Sequence, residues 1–296
     1  MAPEKSSMLP PLRTRGIEWR RVNWSVVTGI AVMHVGAVVA PFYFTWTALV
    51  LALVLMWLSG NIGITMCYHR LLTHRSFKTP KWFEYVLALC GCLAWQGGPV
   101  QWVGIHRIHH KHSDEDTDPH TPRHGFTWSH ALWCMHHDAE GQKGVDAAKD
   151  LLRDPGMRWI NRLFWVPNLL MVPALYFAGE WVGSMGVSAT GLSWVLWGVA
   201  LRITIVYHGT WFVNSATHTW GYRNYDTTDN STNLWWVALL SFGEGWHNNH
   251  HAHQRSAAHG LRWYEIDITY WQIRALGLIG LARDIVLPKP EDRPQS

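Results

Sequence analysis

Eight of the chain's 19 histidines fall in three clusters: His69-Arg-Leu-Leu-Thr-His74, His106-Arg-Ile-His109-His110 and His247-Asn-Asn-His250-His251. A ninth candidate, His218, ends the stretch Asn214-Ser-Ala-Thr-His218. On a helix, residues i, i+3 and i+4 share a face, so each HxxHH sends three imidazoles in one direction, and its i and i+4 members can serve the same or adjacent metals. His69 and His74 are five apart and diverge by about 140° at 3.6 residues per turn, a spread that predicts ligands reaching toward two different ions. Imidazoles gathered this densely carry a large desolvation cost unless metal or hydrogen bonds offset it. A structural zinc site closes with four ligands. Eight or nine nitrogens suit two first-row metals, and imidazole accepts iron, zinc, copper or nickel.

The other histidines read as ordinary. His34, inside an apolar stretch, is expected to be a packed, hydrogen-bonded core residue, and His112, His124, His253 and His259 are expected at the surface or behind the ligands. The polar residues nearest the clusters, Asp114, Glu115, Asp118, Glu244 and Asn248, are candidates for orienting the imidazoles through their second ring nitrogens. Surface solvation is the alternative for Asp114 and Glu115.

The elements that must position these groups are apolar helices. Val26 to Phe44 has no charged residue and reaches ~28 Å as a helix, close to the hydrocarbon thickness of a bilayer. A second uncharged run, 46–67, follows after Pro41 to Thr45, so the two form a tight hairpin. Two weaker candidates are 161–178, interrupted by Pro167 and Pro173, and 187–213, which contains Arg202. Arg202 is expected where that helix leaves the bilayer or facing the protein interior. Trp19, Trp24, Trp46, Trp57, Trp181, Trp194 and Trp197 flank the runs as interfacial belts do. The loops 41–45 and 179–186 lack Lys and Arg, whereas the arm with Lys5, Arg13, Arg15, Arg20 and Arg21 and the segment 70–158 are basic, which predicts cytoplasmic termini and centre.

The expected fold is therefore an all-α integral membrane protein, a four-helix transmembrane bundle under a cytosolic helical cap that carries the metal site. The expected organisation is an arm (1–24), a membrane and cap domain (25–285, cap 68–160 and 214–285) and a polar tail (286–296). Core helices of a soluble protein are the alternative. Composition narrows the rest: 48% hydrophobic residues exclude a disordered chain, a net charge of +4 excludes a strongly basic nucleic-acid binder, and four cysteines exclude a disulfide scaffold. The first residues do not read as a signal peptide. Cys90 and Cys92 lack zinc-knuckle spacing and are expected to be small buried residues.

The first cluster follows the second apolar run and His218 follows the fourth, so the metals are expected near the cytoplasmic membrane surface, beside a lipid substrate. Removing hydrogen from an unactivated acyl carbon is beyond any side-chain acid or base and needs an oxygen-activating metal; iron fits that task and zinc does not.

The boxes HRLLTH, HRIHH and HNNHH, with NSATH, resemble those of the membrane fatty-acid desaturases. The stretches TWFVNSATHTWGYRNYD and STNLWWVALLSFGEGWHNNHH are similar to the Δ9 acyl desaturases of the stearoyl-CoA and cyanobacterial acyl-lipid branches, and the resemblance covers about residues 46–285. It implies a di-iron centre in which His69, His74, His106, His109, His110, His218, His247, His250 and His251 match the family's ligands and Asn214 its metal-site asparagine. It also implies that Gln96, Trp102, Thr210 and Trp211 line the bent acyl tunnel; ordinary packing is the alternative. The implied reaction uses dioxygen and two electrons to make a cis double bond, at Δ9, in a saturated chain.

One departure bears on the carrier. Acyl-CoA members place a basic and an acidic residue just before the second box, where this chain has Gly104 and Ile105, so a lipid-linked substrate is favoured over acyl-CoA. No fused cytochrome-like domain is apparent, so the expected electron donor is a separate ferredoxin, with a b-type cytochrome as the alternative. The expected location is the bacterial inner membrane, with the active site cytoplasmic. The alternatives to desaturation are a membrane di-iron hydroxylase and, in another class, a metal or haem transporter, whose ligands should line a path between spans.

Overall fold

The computed structural model describes residues 9–137 and 140–294. Lys5 and the last two residues of the tail lie outside the described residues. Among the described residues all regular structure is helical, apart from four isolated bridges.

Three helices among the described residues are long and apolar enough to cross a bilayer: α1 (Trp24–Tyr43), α2 (Trp46–Thr73) and, later in the chain, Gly191–His218. Asn23 caps α1 by accepting from the Val26 amide, and Thr45 caps α2 by accepting from that of Ala48. The hairpin expected at Pro41 to Thr45 is thus built from a closing turn and a fresh cap. Short helices follow: α3 (Lys81–Cys92), α4 (Pro99–Lys111), α5 (Phe126–His130) and α6 (Glu140–Ala147). The third expected span falls on a bent helix pair. Helices α7 (Pro155–Arg162) and α8 (Val166–Ser184) bend by 58° at the break, with Pro167 in the first turn of α8, where its missing N–H leaves no intrahelical bond unmade. Then come α9 (Gly191–His218), α10 (Trp235–Leu240), α11 (His247–Ala252) and α12 (Ile268–Leu278).

The outward faces of the long helices are apolar. Val32, Val35 and Val38 on α1, Val50, Leu53 and Val54 on α2, and Leu170 and Phe177 on α8 are exposed, as a surface solvated by lipid requires. Helices α2 and α9 each have 28 residues, more than the roughly 20 that a hydrocarbon layer takes, so both outrun it. That extra length differs from the shorter runs 46–67 and 187–213, and it carries His69 and His218 beyond the apolar stretch.

The second half of α2, Trp57–Thr73, is a π-helix, as is Leu196–Leu201 within α9. Gly63 allows α2 to touch α3, because a Cβ there would overlap the backbone of Gly91. Arg202 faces the interior and is 1% exposed. Its Nε donates to the Gly198 carbonyl at 2.9 Å and its guanidinium also donates to the Leu93 carbonyl, while Asn168 Nδ2 donates to that of Cys92 at 2.7 Å. The open carbonyls at the end of α3 are thereby capped inside the protein. All four cysteines are free.

Candidate metal centre

The nine histidines converge in two groups. His69, His74, His106, His110 and His250 offer ligand nitrogens that all lie within 4.8 Å of one another, and so do His109, His218, His247 and His251. Each HxxHH divides in the same way: its i and i+4 members share a group and its i+3 member crosses to the other. His106 and His110 therefore join the five while His109 joins the four; His247 and His251 join the four while His250 joins the five. The second and third boxes exchange one imidazole each and so lock the groups side by side.

His69 and His74 correct an expectation. They belong to one group, with ring centroids 4.7 Å apart, because the chain there is π-helical and the His74 amide bonds the His69 carbonyl at 3.1 Å. An i to i+5 register stacks residues five apart, and the 140° divergence of an α-helix does not arise.

Buried carboxylates fix the ring orientations. Nδ1 of His69 lies 2.6 Å from Glu244, that of His109 2.8 Å from Asp118, that of His218 3.2 Å from Asp114 and that of His251 2.6 Å from Asp229. Each carboxylate accepts from an Nδ1–H, which leaves Nε2 of each ring facing the cluster. Nε2 of His109 and Nε2 of His251 face each other at 3.4 Å. In the five-membered group the Nε2 atoms of His69 and His250 are 3.1 Å apart, those of His250 and His110 2.9 Å, and those of His110 and His106 3.0 Å, while His74 Nε2 is buried without a partner. Cis ligands at about 2.1 Å from one ion sit about 3.0 Å apart. Lone pairs converging at that spacing fit bound cations.

Burial, reinforced by neighbouring imidazoles, pushes His74, His106, His110, His247 and His250 well below the ordinary histidine range. They are neutral, the state a metal ligand needs. Burial alone would raise the carboxyls of Asp118 and Asp229, but His109 and His120 around the first and His251 on the second hold them down.

Two apolar cavities meet at this centre. The larger, about 450 Å³, is lined by Gln96, Trp102, Thr210, Trp211, Asn214 and His106; the smaller, about 60 Å³, shares Trp102, His106, Thr210 and Asn214 with it and continues to Met56 and Leu240. Gln96 ties the junction: it donates to Thr210 Oγ1 at 2.9 Å and accepts from Trp102 Nε1 at 3.2 Å. All four residues assigned to the tunnel line the larger cavity, and half-buried Asn214 faces both.

Other assignments shift. Glu115 pairs with His112 at 2.7 Å, away from the nine histidines, and Asn248 accepts from the Asn224 and Tyr225 amides, anchoring a loop instead of an imidazole. His259 is buried, 3.0 Å from Glu244, and His124 is buried beside Asp116. His253 is half-buried against Tyr225. Asp229 and His120 escape sequence reasoning: Asp229 stands 22 residues before its partner His251, and His120, pushed down to about 3 by burial and then His109, lies against His109 at 4.3 Å. Asp118, two residues before His120, is the one local signal.

The Fatty acid desaturase family model matches residues 44–280. An sn-1 stearoyl-lipid 9-desaturase of Anabaena variabilis is 48% identical over 269 residues, covering 90% of this chain and 95% of that protein. An sn-2 palmitoyl-lipid 9-desaturase of Nostoc sp. (strain 36) is 44% identical, covering 92% and 93%, and an icosanoyl-CoA 5-desaturase of Limnanthes douglasii is 41% identical, covering 91% and 75%. With helices of membrane-spanning length, two facing histidine groups and these relatives, the chain belongs to the fatty acid desaturase family and is an oxidoreductase of lipid metabolism.

Proposed function

We propose that this desaturase introduces a cis double bond at Δ9 of a saturated acyl chain carried by a membrane lipid, using dioxygen and two electrons from a separate donor, a ferredoxin first among candidates. The observation that carries the reading is the junction where two apolar cavities meet both the Gln96, Trp102 and Thr210 hydrogen bonds and the inward lone pairs of the histidines. When bound, a pair of irons, one held by His69, His74, His106, His110 and His250 and one by His109, His218, His247 and His251, supplies the oxidant that an unactivated methylene requires.

The chain's own residues do the positioning. The apolar walls hold the acyl chain and exclude water, and the hydrogen-bonded junction fixes the bend that presents one C–C bond to the centre. Asn214, which borders both cavities together with His106, serves at the metal site.

Gly104 supports a lipid-linked substrate over acyl-CoA. A Cβ there would overlap the Gly144 carbonyl of α6, so this position has no room for a headgroup-binding cation, and Ile105 beside it lines the larger cavity. The Anabaena and Nostoc relatives are named for lipid-linked chains and the Limnanthes relative for a CoA-linked one, which keeps acyl-CoA as the second reading. The topology we favour has four spans, α1, α2, α7 with α8, and α9, in a bacterial inner membrane. Residues 68–160 and 214–285 then form a cytosolic cap, with 1–24 as the arm and 286–296 as the tail. The outward apolar faces of α1, α2 and α8 support it.

The test is expression in a host that lacks desaturases, followed by determination of double-bond position and headgroup in the new lipids. A Δ9 bond in glycerolipid is the expected result, and His110→Ala should abolish it while the protein still inserts. Oxygen from dioxygen retained in the product would favour the hydroxylase reading.

A further inference from the structure

Three histidines outside the metal centre form a chain of their own. His34 of α1 places Nε2 3.1 Å from His208 Nε2 on α9; His208 Nδ1 lies 3.0 Å from Nε2 of His130 at the end of α5; and His130 Nδ1 lies 3.0 Å from the Ser215 hydroxyl on α9. At the far end His34 Nδ1 is 2.8 Å from the Ile30 carbonyl. That carbonyl can only accept, which sets the direction of the chain: His34 donates to Ile30, His208 to His34, and His130 to His208. The Ser215 hydroxyl ends the chain, its one proton shared between His130 Nδ1 and the Trp211 carbonyl at 2.8 Å. Burial and the neighbouring His208 push His130 down to about 4.

The three rings enclose one side chain. Trp211 stacks on His34, with centroids 6.4 Å apart and planes 10° apart, and meets His208 edge-on at 5.2 Å and His130 at 5.7 Å. Tyr207 stacks on it at 5.2 Å and donates to the Trp95 carbonyl at 2.9 Å. Trp211 is 5% exposed and forms part of the larger cavity wall. The chain therefore ties three elements around an indole that borders the acyl cavity. A polar group inside a membrane span is costly without such partners, and packing alone would be served by leucine.

We infer that His34, His208 and His130 are positioning residues that hold Trp211 in the cavity wall and so fix which carbons of the acyl chain reach the centre. The inference rests on the desaturase reading above and concerns how its regiochemistry is set. A displacement of about 1 Å at such a wall is enough to lower turnover about a hundredfold and to let neighbouring carbons compete.

The experiment compares double-bond positions made by wild type, His208→Leu and His208→Gln in a desaturase-free host, with metal content measured on the purified proteins. Wild type should give a single positional isomer. His208→Leu should keep its metal, lose turnover about ten- to a hundredfold and spread the double bond over adjacent carbons. His208→Gln, whose amide can donate to His34 and accept from His130, should restore the single isomer. If His208→Leu desaturates at an unchanged position, the inference falls whatever its rate. If His208→Leu does not accumulate in the membrane, His34→Leu, which cuts the chain at α1 and leaves the Ser215 contacts with His130 and the Trp211 carbonyl in place, decides: a spread of isomers supports the inference and an unchanged isomer overturns it. Absence of any double bond from wild type would instead overturn the functional reading.

Discussion

The amide of His74 donates to the carbonyl of His69 at 3.1 Å, and this one π-helical bond puts both imidazoles in the same group of five. Metal loss should therefore follow group membership and not sequence box. His74→Ala combined with His110→Ala should lose little more metal than either alone, because both strip one site. His74→Ala combined with His247→Ala should remove both ions. Iron per chain in purified protein reads the difference. Additive loss in the first pair would mean that the two groups are not the two sites.

Asp229 accepts from His251 Nδ1 at 2.6 Å and is further held by the Ser231 amide at 3.0 Å. Asp229→Asn preserves shape but removes the charge that fixes the His251 tautomer. Metal affinity should fall about 10- to 100-fold, as for other residues that orient ligands. Competition with a chelator of known affinity measures it, and unchanged retention would make Asp229 an ordinary loop anchor.

Much of this site could be read before any coordinates. Uncharged runs of spanning length and the repeated HxxHH depend on local periodicity, which a chain displays directly. The division into five and four could not be read, since it depends on the π register of α2, and no residue type in Trp57–Thr73 announces that register. Asp229 was hidden for another reason: its role exists only because the loop after α9 folds back on α11, a tertiary contact without sequence period. His34 was expected to be a packed, hydrogen-bonded residue, and it is hydrogen-bonded. Its partner His208, 174 positions away, could not be paired with it from spacing.

Acid should destabilise the metal-free protein. His74, His106, His110, His247 and His250 lie well below the ordinary histidine value when folded, held there by burial first and by one another second. In the unfolded chain they take up protons near pH 6.5. Between that pH and their lower folded values the unfolded state binds more protons, so stability is complete above about pH 6.5 and declines as pH falls below it, by ~1.4 kcal/mol per unit of separation per group. Thermal unfolding of chelator-treated protein in detergent from pH 8 to 5.5 tests this. A melting temperature that is flat or rising on acidification would contradict the neutral assignment.

Position 104 offers a second test of the carrier. Helix α4 approaches α6 so closely at Gly104 that a methyl group would meet the Gly144 carbonyl oxygen, backbone that cannot swing aside as a side chain does. Gly104→Ala should cost about 1–3 kcal/mol by overpacking. Gly104→Arg, which introduces the cation expected of an acyl-CoA enzyme, should separate the two helices, leaving little folded protein by size-exclusion chromatography in detergent. Ile105→Asp tests the second half of the pair. Its neighbourhood is the apolar lining of the larger cavity, so it should insert a carboxylate beside Trp102 and His106 and weaken acyl-lipid turnover without creating turnover of acyl-CoA. If Gly104→Arg instead folded and the double variant accepted acyl-CoA, the packing of α4 on α6 would not be what bars that carrier.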